Sequence, residues 1–485
     1  MKQALPALPA LPACRSEATR SEPHLDRGNI RPMVRAAVSH EMNRQFGLLA
    51  GAGVVDITPE DSQFLYGYPH VRRYSTGVHD RLLSSALYLR TGGEQVLFIA
   101  NDVIGVSKAS ARRVREAIAG AAGVPSASIM VTATHTHSGP KTTDYVGGDC
   151  DPVVPKTDPK YLRRMEEGII GAGVQACRAA RPAELGLAIA DGSGLGTNRR
   201  DPSGPADPQV PVLFVRSAQN GSPIAAMAVC SMHPTVLHEG STLISGDFPG
   251  LARQYLQGNA LGPQCPVLFH TGLCGNQSPR HVVRANTFEE AGRLGDRLGN
   301  AIANVLPQVR FFSELGLGCM SDLVDLPRRT FPAVEQAQLK LGVATERLER
   351  LRQSDGPRQE VRTAECDWFG AEECLALARA ARDGRLDEAY ACCLPAEIQI
   401  ISVGPWKLVG WPGEVFVEYA LEVKSRRADT FVISLANGGL QGYIVTPEAS
   451  AEGGYEASNG LFPPEAGTIL VESTLRLLEP ARPPA

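Results

Sequence analysis

Apolar residues in this chain fall into short runs separated by longer stretches of helical periodicity. Residues 48–57, 95–100, 128–133, 211–216, 224–229 and 266–270 are brief apolar runs bounded by turn residues, the mark of buried strands. Between them, 108–121, 161–180 and 288–306 read as helices; Val114 and Ile118, for example, share one face at i, i+4 spacing. Asn220-Gly221 marks a turn between two of the strands. Two further helical stretches, 333–351 and 371–391, precede a return of strands at 398–403, 406–411 and 430–436, and 468–472 is again strand-like. The alternation predicts an α/β fold, with mixed β-sheets flanked by helices in a single large domain over residues 45–485 and a helical insertion at about 330–395. Ahead of it, Ala-Leu-Pro occurs three times between Ala4 and Pro12. Proline at every third residue prevents the helical apolar stretch of a signal peptide. Residues 1–44 therefore read as a disordered Pro/Ala-rich tail, with Met33 and Met42 as alternative starts.

Composition narrows the class. With 485 residues, 43% hydrophobic and 21% charged, the chain can bury a core without disulfides. A net charge of −4 leaves no footprint for nucleic acid. No apolar run approaches the ~20 residues of a membrane span. The eleven cysteines are scattered with no C-x-x-C pair, and Cys392 and Cys393 are adjacent, so they read as reduced thiols of a cytoplasmic enzyme and not as a metal site.

Histidines at predicted strand ends carry the candidate chemistry. Thr134-His135-Thr136-His137-Ser138-Gly139-Pro140 follows the strand ending at Ala133. In extended backbone, His135 and His137 project to one side, as a metal pair or as a ligand with an acid/base neighbour; a polar loop with solvated rings is the plain alternative. His233 also sits just past a strand, with Asp247 downstream as either an imidazole-orienting carboxylate or a helix cap. Glu414, after Trp411-Pro412-Gly413, is a ligand candidate or simply a carboxylate at a helix start. Gly272-Leu273-Cys274-Gly275-Asn276-Gln277-Ser278-Pro279 is a glycine-bearing loop after a strand, but not the G-x-S-x-G elbow of serine hydrolases. Tyr443 and Tyr455 are twelve residues apart, each able to ligate a metal, donate to an oxyanion or sit at a boundary.

In order along the chain, these motifs resemble the neutral (non-lysosomal) ceramidase family. The likeness runs from Gly51-Ala52-Gly53-Val54-Val55-Asp56-Ile57-Thr58 through Gly77-Val78-His79-Asp80-Arg81-Leu82 and the His-Thr-His-Ser-Gly-Pro string. It continues through Thr197-Asn198-Arg199, His233, Leu243-Ile244-Ser245-Gly246-Asp247, Ser278, Pro412-Gly413-Glu414 and the tyrosine pair. The resemblance implies a zinc held by His135, His233, Glu414 and Tyr443, with His137, Arg199, Ser278 and Tyr455 around the reacting amide. It implies a zinc-dependent amidohydrolase acting on a ceramide-like or smaller N-acyl substrate. Forming or transferring an acyl–nitrogen bond at the same site is the alternative, and a non-catalytic scaffold a third reading. Three departures from the family pattern are expected on this reading: no export signal, no C-terminal immunoglobulin-like domain, and Gly275-Asn276-Gln277 in place of an acidic residue.

Overall fold

The structure, a computed structural model, describes residues 47–147 and 151–479. The tail expected over 1–44 lies outside the described residues. Twelve main strands make two sheets. The first eight are β1 (Leu48–Asp56), β2 (Leu83–Thr91), β3 (Glu94–Asn101), β4 (Ile129–Ala133), β5 (Arg181–Asp191), β6 (Gln209–Ser217), β7 (Pro223–Cys230) and β8 (Val267–Thr271). They form one sheet in the order β8-β7-β6-β5-β1-β2-β3-β4. The other four, β9 (Leu317–Val324), β10 (Ala396–Val403), β11 (Trp406–Gly410) and β12 (Thr430–Ile433), form a second sheet in chain order. Pairs β3–β4, β7–β8 and β11–β12 are parallel, so the sheets are mixed as expected.

The main helices are α1 (Lys108–Ala122), α2 (Pro159–Arg178), α3 (Asp247–Leu256), α4 (Phe288–Val305), α5 (Val334–Gln353), α6 (Arg358–Arg382), α7 (Leu386–Cys393), α8 (Val417–Arg426) and α9 (Glu465–Leu477). Both sheets contribute to one apolar core, with Phe98, Leu185 and Met227 of the first against Ile401, Leu408 and Phe431 of the second. α1 and α2 cover the outer face of β1–β4, while α3 and α4 cover that of β5–β8. α8 and α9 cover the far face of the second sheet. The small residues of β1 are explained by α2. A Cβ at Gly51 or Gly53 would lie 2.2 or 2.3 Å from the Ala176 or Ala172 carbonyl oxygen, so only glycine lets the helix lie that close.

The first sheet is curled. Its halves are joined by only two β1–β5 pairs, Leu49↔Pro182 and Ala50↔Arg181. Its two edge strands meet through side chains: Thr132 Oγ1 lies 2.7 Å from His270 Nδ1, and Thr271 Oγ1 donates to the Thr134 carbonyl at 2.7 Å. Isolated bridges Thr132↔Ala436 and Gly272↔Ile433 hold the end of β12 between those edges. The segments following β4, β7, β8 and β11 are thereby drawn to one place, a crevice outside strand ends.

Two expected elements differ. Residues 468–472 belong to α9, where Leu470, Val471 and Thr474 are buried at helical spacing. The β-branched run suggests a strand, but the apolar stripe toward α8 wins over propensity. The stretch 371–391 is two helices, because α6 starts at Arg358 and Gly384, at φ 69°, separates it from α7. Strands β2, β5 and β9 are found only in the structure. β9 is half-exposed along its length and so shows no apolar run.

Candidate functional site

β4 ends at Ala133, and His135 then adopts φ 68°, in the left-handed region. His135 and His137 do converge, with ring centroids 5.0 Å apart, but a turn at His135 brings them together, not the pleat of an extended strand. His135 Nδ1 donates to the Ile104 carbonyl at 2.7 Å, leaving Nε2 3.2 Å from Glu414 Oε2. His233, just past β7, is fully buried. Its Nδ1 faces two carbonyls of the glycine-bearing loop, Cys274 at 2.7 Å and Gln277 at 3.0 Å, and its Nε2 lies 2.9 Å from the same Glu414 oxygen. Carbonyls can only accept, so both Nδ1 atoms carry hydrogen and both Nε2 lone pairs point inward, the arrangement of metal-binding imidazoles. His137 completes the triangle, and neither of its buried ring nitrogens has a protein partner. Ligand nitrogens of His135, His137 and His233 all lie within 4.8 Å of one another, a group able to hold a metal ion.

Glu414 is set beside Tyr443 by a two-residue parallel ladder, Glu414↔Tyr443 and Val415↔Ile444. Glu414 therefore lies in a short strand, and the helix α8 begins only at Val417. A second ladder, Gln277↔Asn198 and Ser278↔Thr197, brings the glycine-bearing loop against Arg199. Arg199 is buried, with its Nε 2.7 Å from Glu456 Oε1 and its Nη2 without a partner. Its guanidinium carbon stands 5.1 Å from the Tyr443 ring and 5.8 Å from the Tyr455 ring. The tyrosine rings are 5.4 Å apart. Ser278 Oγ caps the following turn, accepting from Arg280 N at 3.2 Å. Asp247 takes neither of its expected roles fully. It begins α3 and accepts from Leu237 N at 2.9 Å and Phe248 N at 2.6 Å, not from an imidazole.

The electrostatics suit a cation among these groups. Burial holds His233 down to about 4, against the opposing pull of Glu414. Burial, with His135 and His233 beside it, holds His137 well below the usual imidazole range. Burial also works against a charged His135, but Glu414 outweighs it and raises that ring. Burial would lift Glu414, yet the two imidazoles keep it well below the carboxylate range. Three lone pairs thus meet at one point where a proton or metal ion must sit, and metal binding there would release that proton.

Residues 48–189 match the family model described as "Neutral/alkaline non-lysosomal ceramidase, N-terminal". Over that segment the chain is similar to the neutral ceramidases. Neutral ceramidase B of Dictyostelium discoideum is 24% identical over 235 residues, covering 44% of this chain and 32% of that protein. Neutral ceramidase of Mycobacterium tuberculosis is 25% identical over 230 residues, covering 42% of this chain and 35% of that protein. The chain thus spans about a third of the length of these curated relatives. The fold is that of solved ceramidases. One, titled "Ceramidase complexed with C2", superposes with a TM-score of 0.68 at 20% identity, over 91% of this chain and 77% of that one. The neutral ceramidase of Pseudomonas aeruginosa gives 0.67 at 19%, over 91% and 76%.

A cavity of about 410 Å³ opens onto the His135 and His137 imidazoles. Its wall includes His135, His137, Glu414, Tyr443 and Tyr455, whereas His233, Arg199 and Ser278 are not part of it. α5 and α6 also line it, through Leu341, Phe369 and Glu373 among others, so the helical insertion shapes the cavity. Sequence reasoning missed the support of His137. Tyr68 meets its ring edge-on at 5.2 Å, and the buried Arg73 guanidinium donates to its carbonyl. A loop reading Tyr66-Gly67-Tyr68-Pro69 carries no signal of that role.

Proposed function

We propose that this chain is a zinc-dependent amidohydrolase that cleaves the N-acyl bond of a ceramide-like or smaller substrate. The observation that carries the reading is the inward-facing Nε2 pair of His135 and His233 on one oxygen of Glu414, with His135 and Glu414 lining the cavity. Imidazoles and a carboxylate are ligands suited to zinc, and in this reading Tyr443, beside Glu414 in the ladder, is the fourth. When bound, zinc would polarise the amide carbonyl and lower the pKa of a water molecule. The remaining steps belong to protein side chains. His137, uncharged and without a protein partner, takes up a proton and delivers it to the leaving nitrogen. Arg199, whose Nη2 is unpartnered, and the Tyr455 hydroxyl stabilise the oxyanion. Ser278, committed to capping its turn, holds the loop whose carbonyls orient His233. The substrate preference of the family supports ceramide chemistry, and the cavity supports a substrate that enters at least partly.

Metal analysis of the purified protein, combined with hydrolysis of a panel of N-acyl compounds including a short-chain ceramide, tests this reading. About one zinc per chain and chelator-sensitive acid release are expected. A metal-free protein whose activity no divalent ion restores would overturn it.

A further inference from the structure

The cavity wall formed by α6 carries a carboxylate for which the hydrolytic reading has no use. Glu373 lines the cavity from this helix. Its Oε1 receives one long hydrogen bond, 3.3 Å from Gln441 Nε2. That amide is otherwise spent on Val146, donating to its carbonyl at 2.6 Å and accepting from its N–H at 3.1 Å. Other charged groups of the cavity have partners: Glu372 pairs with His70, Lys141 with Asp144 at 2.8 Å, and Glu414 with two imidazoles. Arg379 is exposed and turned toward Gln338 at 3.4 Å. Among the described residues, no cation pairs with Glu373, and the charged neighbour that acts on its carboxyl is Glu372, of the same sign. Burial and that neighbour push the Glu373 carboxyl up to about 7 despite Gln441, so an arriving positive charge would stabilise its ionised form.

An unpaired carboxylate in a cavity is unfavourable for an alkyl chain, which would bury it without compensation. It is favourable for a ligand that brings the missing charge. Tyr66, Tyr145 and Phe369 line the same cavity, and Lys141 already lies over the Tyr66 ring at 5.3 Å, so an aromatic wall beside a cation is present there. The volume of about 410 Å³ is that of a small-molecule site.

Resting on the hydrolytic reading above, we infer that Glu373 determines specificity by receiving a protonated amine of the substrate, so that the favoured class is a small cationic N-acyl compound such as a monoacylated diamine. The two tasks fall to different elements lining one cavity: the imidazole cluster acts on the amide, and α6 grips the ammonium group.

The test uses the full chain purified with zinc present. Acetylated diamines of increasing chain length, and acetylated amino alcohols of matched length, are titrated calorimetrically and assayed for cleavage. At the best length the ammonium compound should bind about tenfold or more tightly than its alcohol. Glu373→Gln, which preserves shape, should abolish that preference while leaving the alcohol's affinity unchanged. Equal binding of the two compounds, no binding of either at any length, or a preference that survives in Glu373→Gln would each overturn the inference. A Glu373-dependent preference without cleavage would support the inference and sink only the hydrolytic reading. Cleavage of both compounds at equal affinity would do the reverse.

Discussion

Single residues show how closely the site is supported. Truncating His233 to Ala removes one inward Nε2 and leaves the Cys274 and Gln277 carbonyls without their donor. Zinc content should fall to a small fraction of the wild-type value, with the far-UV spectrum retained; full occupancy would refute the ligand assignment. Gly67 controls His137 by leaving room for it. It sits at φ 121°, and a Cβ there would lie 2.3 Å from His137 Nδ1. Gly67→Ala should displace the ring and lower turnover about 100-fold while zinc content stays near one, read by steady-state kinetics and metal analysis. Asp247 makes a separate prediction about pH. Burial, with Asp80 beside it, raises its carboxyl to about 7, against backbone N–H donors that favour the charge. The folded state then binds more protons than the unfolded state between about 4 and 7, so this residue's contribution to stability falls as pH rises through that window. Asp247→Asn lacks the titration. Its melting temperature should gain on the wild type from pH 4 to 7 and keep a constant offset above, as thermal melts across pH would show.

At the scale of elements, short ladders and one helix matter more than the long strands. Glu414 and Tyr443 are 29 positions apart, yet a two-residue parallel ladder makes them neighbours. Nothing in the local pattern around Glu414 announces that pairing, because two-residue strands have no periodicity. α9 was legible as apolar but not as a helix, and its tertiary role explains its composition. Thr474, fully buried, accepts from the indole N–H of buried Trp411 at 2.9 Å, tying α9 to the turn that leads into Glu414. Thr474→Val keeps the volume but orphans the indole donor, and should cost about 1–3 kcal/mol in a denaturant titration. An unchanged midpoint would show that the tie carries no stability.

Across the whole molecule, among the described residues no helix is long and apolar enough to cross a membrane. All nine described cysteines are free, in line with the expected reduced thiols. The proposed ligands and catalytic residues follow Ala133, the cavity lining starts at Tyr66, and the described fold begins at Gly47. We propose that residues 1–44 are dispensable: their deletion should leave zinc content and turnover within about twofold of the full chain, and loss of either would show that they belong to the working domain. The curled sheet is what assembles the site, since it brings the ends of β4 and β7 to the glycine-bearing loop and to Glu414. Strand type, most helices and the histidines at strand ends were readable in the sequence, because apolar period and residue chemistry are local properties. The convergence of His135, His233 and Glu414, the unpartnered state of His137, and the cavity wall with Glu373 were decided only by the tertiary structure. They depend on sheet curvature and on contacts between residues far apart in the chain, such as His135 and Glu414, 279 positions apart, and no periodicity along one chain encodes such distances.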